Sequence, residues 1–277
     1  MTRASKLTNR VATYFALTAG AVICLLPFFW QIRGSLMTMQ EIFAYPPKWL
    51  PETPQWENYK ETFKIIPFAT YYSNTIFLVA LNIIGTVLSN VCIAFSLARL
   101  RFRGRNLMFA LSIGTLMIPT SVTMIPTFIE WNWFGGLGTF LPLIVPAFFG
   151  NAFFIFMLVQ FFRTIPFEFD EAAIVDGASY PRIIVSVILP MARPVIAVMV
   201  IFTFLNTWND FMGPLLYLND SKMYTLALGL KSLLSGYNSY WHILMAAATM
   251  VVAPLVIVFF IAQKSFIEGL TMGGVKG

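Results

Sequence analysis

Charge is what this sequence has least of. Only 11% of its 277 residues are Asp, Glu, Lys or Arg, while 58% are hydrophobic; soluble globular proteins carry about 25% charged residues. The deficit is gathered into runs. No charged residue occurs between Arg10 and Arg33, Lys64 and Arg99, Arg105 and Glu130, Glu130 and Arg163, or Lys231 and Lys264. A sixth apolar run, from Pro194 to about Leu218, is interrupted only by Asp210. A helix crosses the hydrocarbon core in about 20 residues, so each run holds one span and none holds two. The scarcity of charge excludes a soluble domain. It predicts an all-α polytopic membrane protein with six transmembrane helices, at 12–32, 72–97, 107–129, 140–162, 194–218 and 243–263.

Histidine and cysteine are nearly missing as well. Cys24 and Cys92 are the two cysteines and both fall inside predicted spans, which leaves no disulfide framework and no metal site. His242 is the lone histidine, read as a polar residue at the membrane interface. An intramembrane enzyme needs clustered His, Cys, Asp or Glu, and scattered acids with one His exclude it. A phosphate-cradling loop needs a Gly-Lys pair, and the sequence has none. Nor is any polar stretch long enough for a nucleotide-binding domain. The chain is therefore no ATPase and binds no cofactor or metal of its own.

The first apolar run follows a basic start (Arg3, Lys6, Arg10), as a secretory signal does. Its 22 uncharged residues exceed the 7–15 of a signal's apolar core, and it ends in Pro27, Phe28, Phe29 and Trp30 without a small-x-small cleavage site. It is read as a retained span.

Six spans place both termini on one side. That side holds twelve Lys and Arg, including Arg99, Arg101, Arg103, Arg105, Arg163, Arg182 and Arg193, and the other side holds six. Lys and Arg accumulate in cytoplasmic loops, so both termini are expected in the cytoplasm. The net charge of +6 is then a topology signal, dispersed over short loops, and gives no basic face for nucleic acid. Residues 33–71 form the long outer loop, with Pro46, Pro47, Pro51 and Pro54 among Tyr45, Trp49, Trp56 and Tyr59. Such rings favour the headgroup level. Two readings stay open: a belt resting on membrane lipid, or a docking surface for an extracytoplasmic partner.

The third inner segment, 163–193, is long where the first is short. Thr164 and Pro166 mark a helix start, and Glu168, Asp170 and Glu171 place negative charge at the positive end of the helix dipole. Ala172 and Ala173 continue it with little bulk, and Asp176-Gly177 stops it, since Gly adopts the left-handed conformation that ends helices. Ser179 can cap a second helix, Pro181 lies in its first turn, and Pro190 closes it. The outcome is a helical hairpin outside the membrane, with small residues beside acids: a surface that another protein can approach and pair with.

The whole pattern resembles the EAA loop of permeases from binding-protein-dependent ABC importers. Glu171-Ala172-Ala173 is followed by three residues and Gly177, then by nine residues, Val187, Ile188 and Leu189-Pro190; the one departure is Val187 where the pattern has Ile. Leu97 to Arg105, Trp208-Asn209-Asp210-Phe211 with Pro214-Leu215, and Phe266 to Thr271 with Gly273 to Gly277 are similar to the carbohydrate-importing branch and its maltose-permease-like second permease. The resemblance implies a type I importer permease fold as a single transmembrane domain over 1–277 in the bacterial cytoplasmic (inner) membrane. The outer loop 33–71 would be extracytoplasmic, with a cytoplasmic coupling loop at 163–193 and a cytoplasmic tail at 264–277.

It also implies partners: a second permease, two ATPase subunits that bind ATP and Mg, an extracytoplasmic solute-binding protein, and a sugar or oligosaccharide as substrate. Carried over residue by residue, Glu171 makes the ionic contact to the ATPase. Ala172 and Ala173 are the close-packed face, Asp176 and Gly177 the turn, and Leu189 and Pro190 the return into the fifth span. The tail Thr271–Gly277 would reach the ATPase pair. Asn206, Asn209 and Asp210 are the candidates for the substrate path, and Pro119, Pro126, Pro142 and Pro146 mark kinks or breaks around it. An ABC permease for a non-sugar solute is the alternative. An ion-gradient-driven secondary transporter, commonly built from internal repeats, fits poorly, as no repeat and no midplane acid pair is present.

Overall fold

The computed structural model describes residues 3–234 and 240–272, with side chains within 9–234 and 240–263. Every regular element among them is helical: α1 (Arg3–Ser35), α2 (Met39–Ile42), α3 (Glu57–Ile65), α4 (Phe68–Arg99), α5 (Arg105–Gly114), α6 (Thr120–Trp133), α7 (Leu141–Ile144), α8 (Ala152–Thr164), α9 (Glu168–Val175), α10 (Tyr180–Ile183), α11 (Leu189–Met191), α12 (Arg193–Trp208), α13 (Met212–Tyr217), α14 (Leu226–Lys231) and α15 (Trp241–Met272). Apart from the helical backbone of Thr271 and Met272, the tail contact expected of Thr271–Gly277 lies outside the described residues. The chain divides into two compact units, Met1–Phe68 with Leu230–Pro254, and Ala69–Gly229 with Leu255–Gly277.

In the first unit α1 leaves most of its apolar surface uncovered, from Val11 and Phe15 to Leu25 and Phe29, as a helix facing lipid or another membrane chain does. Its C-terminal end is packed instead. Asn58 on α3 donates to the Ser35 and Met37 carbonyls at 2.9 and 3.0 Å, and the Ser35 hydroxyl meets Tyr59 Oη at 2.7 Å. Thr38 and Glu41 form a capping box around α2, and the second Glu41 oxygen accepts the Glu52 N–H at 3.0 Å. The expected outer loop is thus a folded cap pinned to the end of α1. Tyr45, Trp49, Leu50 and Trp56 remain exposed on it.

The backbone N–H of Thr38, then that of Glu52, hold the buried Glu41 carboxyl below its ordinary range. A depressed folded pKa favours the ionised form in the folded state. The stabilisation is therefore complete above the unfolded value of about 4.3 and is lost as pH falls through the lower folded value. Amide protection over residues 36–58, each exchange rate taken relative to its intrinsic rate at the same pH, is expected to fall below about pH 4. Glu41→Gln should lower that protection already at pH 7 and flatten the acid dependence.

The second unit is built on α4. Val91, Ala94, Phe95, Leu97 and Ala98 of α4 pack against Phe154, Ile155, Leu158, Val159 and Phe162 of α8 and Val195 and Met199 of α12, all buried in one cluster. Ile183, Ile188 and Ala192 belong to the same cluster, which fastens the second half of the expected hairpin to the spans. Lipid is as apolar as these side chains, so the cluster is held by close packing and by hydrogen bonds between helices and not by removal from water.

Among the described residues, four helical stretches are long and apolar enough to cross a bilayer, Asn9–Ser35, Phe68–Arg99, Leu141–Thr164 and Trp241–Gln263, and two bent helix pairs bring the number to six if each is one span. The third expected span, 107–129, is not one straight helix. Arg105–Met117 and Thr120–Trp133 meet at 102°, because Pro119 drives Ile118 into extended backbone (φ −86°, ψ 114°). The fifth, 194–218, ends as a helix at Trp208 and resumes as the short α13. It follows an 87° bend between Tyr180–Met191 and Arg193–Trp208, where the hairpin turns into the span.

The fourth expected span, 140–162, is broken between α7 and α8. Pro142 and Pro146 lack donors and Gly150 has φ +90°, so backbone groups there lose helical partners. Polar side chains of α4 take them up. Asn82 donates to the Leu143 carbonyl at 2.9 Å, Ser89 to the Ala147 carbonyl at 2.8 Å, and Asn90 Oδ1 accepts the Asn151 N–H at 2.8 Å. Irregular backbone is tolerated at membrane depth only where protein satisfies it, and these three residues are the means. The proline breaks expected from the sequence are present at Pro119 and around Pro142–Pro146, whereas Pro126 lies inside α6.

Candidate functional site

The hairpin forms where the sequence places it. Ile165 is extended (φ −76°, ψ 126°), as a residue before proline prefers, and ends α8. The α9 helix opens with Glu168, Asp170 and Glu171 in its first turn. It closes in a Schellman turn: Gly177 has φ +77°, its N–H donates to the Ile174 carbonyl and the Ala178 N–H to the Ala173 carbonyl, each at 2.9 Å.

Two local expectations are corrected. Ser179 occupies the N-cap of α10 with extended backbone, but its hydroxyl makes no capping bond. Pro190 does not close the second helix, which runs on to Met191. A five-residue π-helical stretch, Ile184–Ile188, precedes it. That wider turn makes room for a ring that would strike the carbonyl four residues back in an α-helix.

The site residues divide between two faces. Glu171, Ala172, Asp176, Gly177 and Pro190 are exposed, whereas Ala173 and Leu189 are half-buried against the α4–α8–α12 core. The two alanines therefore do not form one outward face. Ala172 looks out beside Glu171, and Ala173 anchors. Sequence reasoning missed the apolar neighbours of Glu171. Phe169 and Ile174 are half-exposed and Val175 is 87% exposed, an uncovered patch on a helix outside the expected spans. Their signal was apolar residues spread around a helix too short to bury more than one face.

It also missed the partner of Asp170. Arg99, the last residue of α4, brings Nε to 3.3 Å from Asp170 Oδ2, with the side chains 2% and 10% exposed. Arg99 Nη2 donates to the Ile165 carbonyl at 2.9 Å, and its guanidinium lies 4.5 Å above the Phe167 ring. Burial pushes the Asp170 carboxyl up, opposed by the Arg99 charge.

The candidate path residues part company. Asn206 and Asp210 line a cavity of about 420 Å³ together with Asn82, Pro142, Pro146 and Tyr217. Asn209 does not join them; it ends α12 and returns its amide to the Leu205 carbonyl at 2.8 Å. Asp210 also has a structural task, accepting the Gly213 N–H at 3.0 Å at the start of α13. A Cβ at Gly213 would lie 2.5 Å from Asp210 Oδ2 and 2.8 Å from a Leu143 methyl, so only glycine allows this approach. Trp208 is buried, edge-on to Tyr72 at 5.7 Å. Asn82 was absent from the expectation because it comes from a segment remote in sequence, and Tyr217 because it follows the break after Trp208, on α13.

Residues 90–271 match the family described as binding-protein-dependent transport system inner membrane component. That range holds the hairpin and all but one of the cavity residues just named. An arabinooligosaccharide transport permease, AraQ of Halalkalibacterium halodurans, is 35% identical over 208 residues, 75% of this chain and 74% of its own. A diacetylchitobiose uptake permease, NgcG of Streptomyces coelicolor, is 31% identical over 256 residues, 91% and 84% of the two chains. The crystal structure of a bacterial ABC transporter involved in alginate import contains a chain that superposes with a TM-score of 0.83. That match covers 95% of this chain and 98% of that one at 24% identity, and shows the same fold. With the fold, the hairpin spacing and the sequence match in agreement, this chain belongs to the inner-membrane permease components of binding-protein-dependent ABC importers.

Proposed function

We propose that this permease carries a sugar or oligosaccharide inward and that the outward face of α9 receives the movement of a partner ATPase. One observation carries the second part. The helix that bears Glu171 and Ala172 is fixed to the spans through Asp170 and Ala173 and leaves Phe169, Ile174 and Val175 uncovered. Uncovered apolar side chains beside charge, on a helix outside the spans, mark a protein docking site. Glu171 then supplies the ionic contact and Ala172 the close approach. Gly177 and Asp176 set the turn, and Leu189 and Pro190 return the force to α12. Hydrolysis of ATP belongs to the partner chain.

The assembly comprises a second permease, two ATPase subunits and an extracytoplasmic binding protein, with the hairpin on the cytoplasmic side. The sugar is supported by the relatives named for oligosaccharides and by the cavity. There the amides of Asn82 and Asn206 and the Asp210 carboxylate stand beside the Tyr217 ring and two prolines. Polar groups that read hydroxyls among flat apolar surfaces are what a pyranose face needs.

The test is uptake by the complex reconstituted in proteoliposomes with its binding protein, over a panel of labelled oligosaccharides, amino acids and polyols. Transport of one oligosaccharide class, with uptake falling at least tenfold in Glu171→Ala while the chain still inserts, is the expected result. Transport confined to non-sugars would replace the substrate class. Native uptake in Glu171→Ala would remove the docking role.

A further inference from the structure

The ion pair between Arg99 and Asp170 joins three elements through one side chain. Arg99 ends α4, donates to the carbonyl of Ile165 at the end of α8, and stands against Asp170 in the first turn of α9 while stacking on Phe167. Both side chains are buried where Lys, Arg and Asp seldom are unless paired. The pairing is incomplete. Nε and Oδ2 are 3.3 Å apart but not aligned for a hydrogen bond, and among the described residues Arg99 Nε and Nη1 and both Asp170 oxygens lack hydrogen-bond partners.

Burying two charges is unfavourable unless their remaining hydrogen-bonding capacity is met, so a pair used only to hold the fold would be better seated. A guanidinium in contact with a carboxylate but not locked to it can close into a bidentate fork after a small rotation of α9. No other ion pair among the described residues links α9 to a span. The rest of the attachment of α9 is apolar, through Ala173 against the core.

We infer that Arg99–Asp170 is the joint through which rotation of α9 is passed to α4 and α8. The pair closes when the docked partner moves the helix and relaxes when it withdraws. Arg99 and Asp170 are positioning residues on the inner side of α9, opposite the docking face, and the inference rests on the docking role given to that face. A docked but unjointed α9 turns without moving the spans. The signature is therefore ATP hydrolysis continuing while uptake stops, which neither a lost docking contact nor a misfolded chain produces.

The experiment measures three quantities in the reconstituted complex: assembled complex recovered, binding-protein-stimulated ATP hydrolysis, and solute taken up per ATP. Asp170→Asn keeps the shape and removes the charge. It is expected to assemble, to keep hydrolysing ATP at the rate the complex shows without binding protein, to lose most of the stimulation by binding protein, and to lower uptake per ATP at least tenfold, with Asp170→Glu restoring a substantial part. Should Asp170→Asn not assemble, Arg99→Lys keeps the charge, loses the planar group that reaches the Ile165 carbonyl and Asp170 together, and is expected to lower the same ratio. Native uptake per ATP in Asp170→Asn overturns the joint. So does a loss of uptake that only follows loss of assembled complex, or failure of both variants to assemble. Glu171→Ala run beside them separates the two levels. If it abolishes uptake while Asp170→Asn is native, the joint falls and docking stands. If Glu171→Ala is itself native, docking falls.

Discussion

Gly177→Pro is expected to abolish ATP-driven uptake while the chain still inserts, with at least a tenfold loss, and Gly177→Ala to reduce it only severalfold. Gly177 has φ +77°. Proline fixes φ near −65° and has no N–H, so the substitution forces the turn open and removes the donor that meets the Ile174 carbonyl at 2.9 Å. With it goes the alignment that lets the Ala178 N–H reach the Ala173 carbonyl.

Alanine keeps the N–H. Nothing lies within 4 Å of the Cβ it would add, so its whole cost is the left-handed backbone, about 1–2 kcal/mol. The two variants therefore differ in geometry at one position outside the core. A graded series, native above alanine and alanine above proline, would locate the requirement in the turn that orients α9. Native uptake in the proline variant would mean that the two halves of the hairpin act independently, and the coupling role of α9 would be lost. Equal, complete loss in both would point to the space around Gly177 being filled by the partner and not to the turn.

The hairpin was legible because each of its signals is local. Acids in a first turn, Asp-Gly at the end, Pro181 after it and the spacing to Leu189-Pro190 each report on a few neighbouring residues. The spans were legible because a run without charge has few alternatives in a chain of this composition. What escaped was non-local, or was hidden by a sufficient local explanation. Arg99 was accounted for as a cytoplasmic charge and Asp170 as a helix-dipole charge, so nothing asked that they meet. Asn206 and Asp210 share a cavity while Asn209 does not, a matter of helix phase at the end of α12 that the bare cluster of polar letters could not resolve. Pro190 was read as a stop because the π-helical stretch before it leaves no mark in the sequence, being an answer to the proline and not a cause.

The break in the fourth span shows the same division, and it bears the largest stability prediction. Pro142, Pro146 and Gly150 announced irregular backbone, but not what would satisfy it. Asn90 is fully buried on α4; its Nδ2 donates to the Thr86 carbonyl at 2.7 Å and its Oδ1 accepts the Asn151 N–H at 2.8 Å. Asn151 is in turn the N-cap of α8, its Oδ1 accepting the Phe153 and Phe154 N–H groups. Asn90→Leu keeps the branched outline at greater bulk, removes the acceptor and strands the Asn151 N–H inside the bundle. The expected loss is about 1–3 kcal/mol for an orphaned buried donor.

Asn82→Leu is the comparison. It releases carbonyls of Leu78 and Leu143, and an under-satisfied carbonyl is tolerated more readily than an orphaned N–H, so its loss should be smaller. Thermal unfolding of the purified chain in detergent checks the order, with Asn90→Asp retaining a carboxyl oxygen as acceptor and falling between Asn90→Leu and native. If Asn90→Leu melts with the native protein, the break is held by packing of α8 on α4 alone, and the polar face of α4 has another purpose. If it melts well below Asn82→Leu, the second span is the hydrogen-bonding template on which the fourth is broken and held.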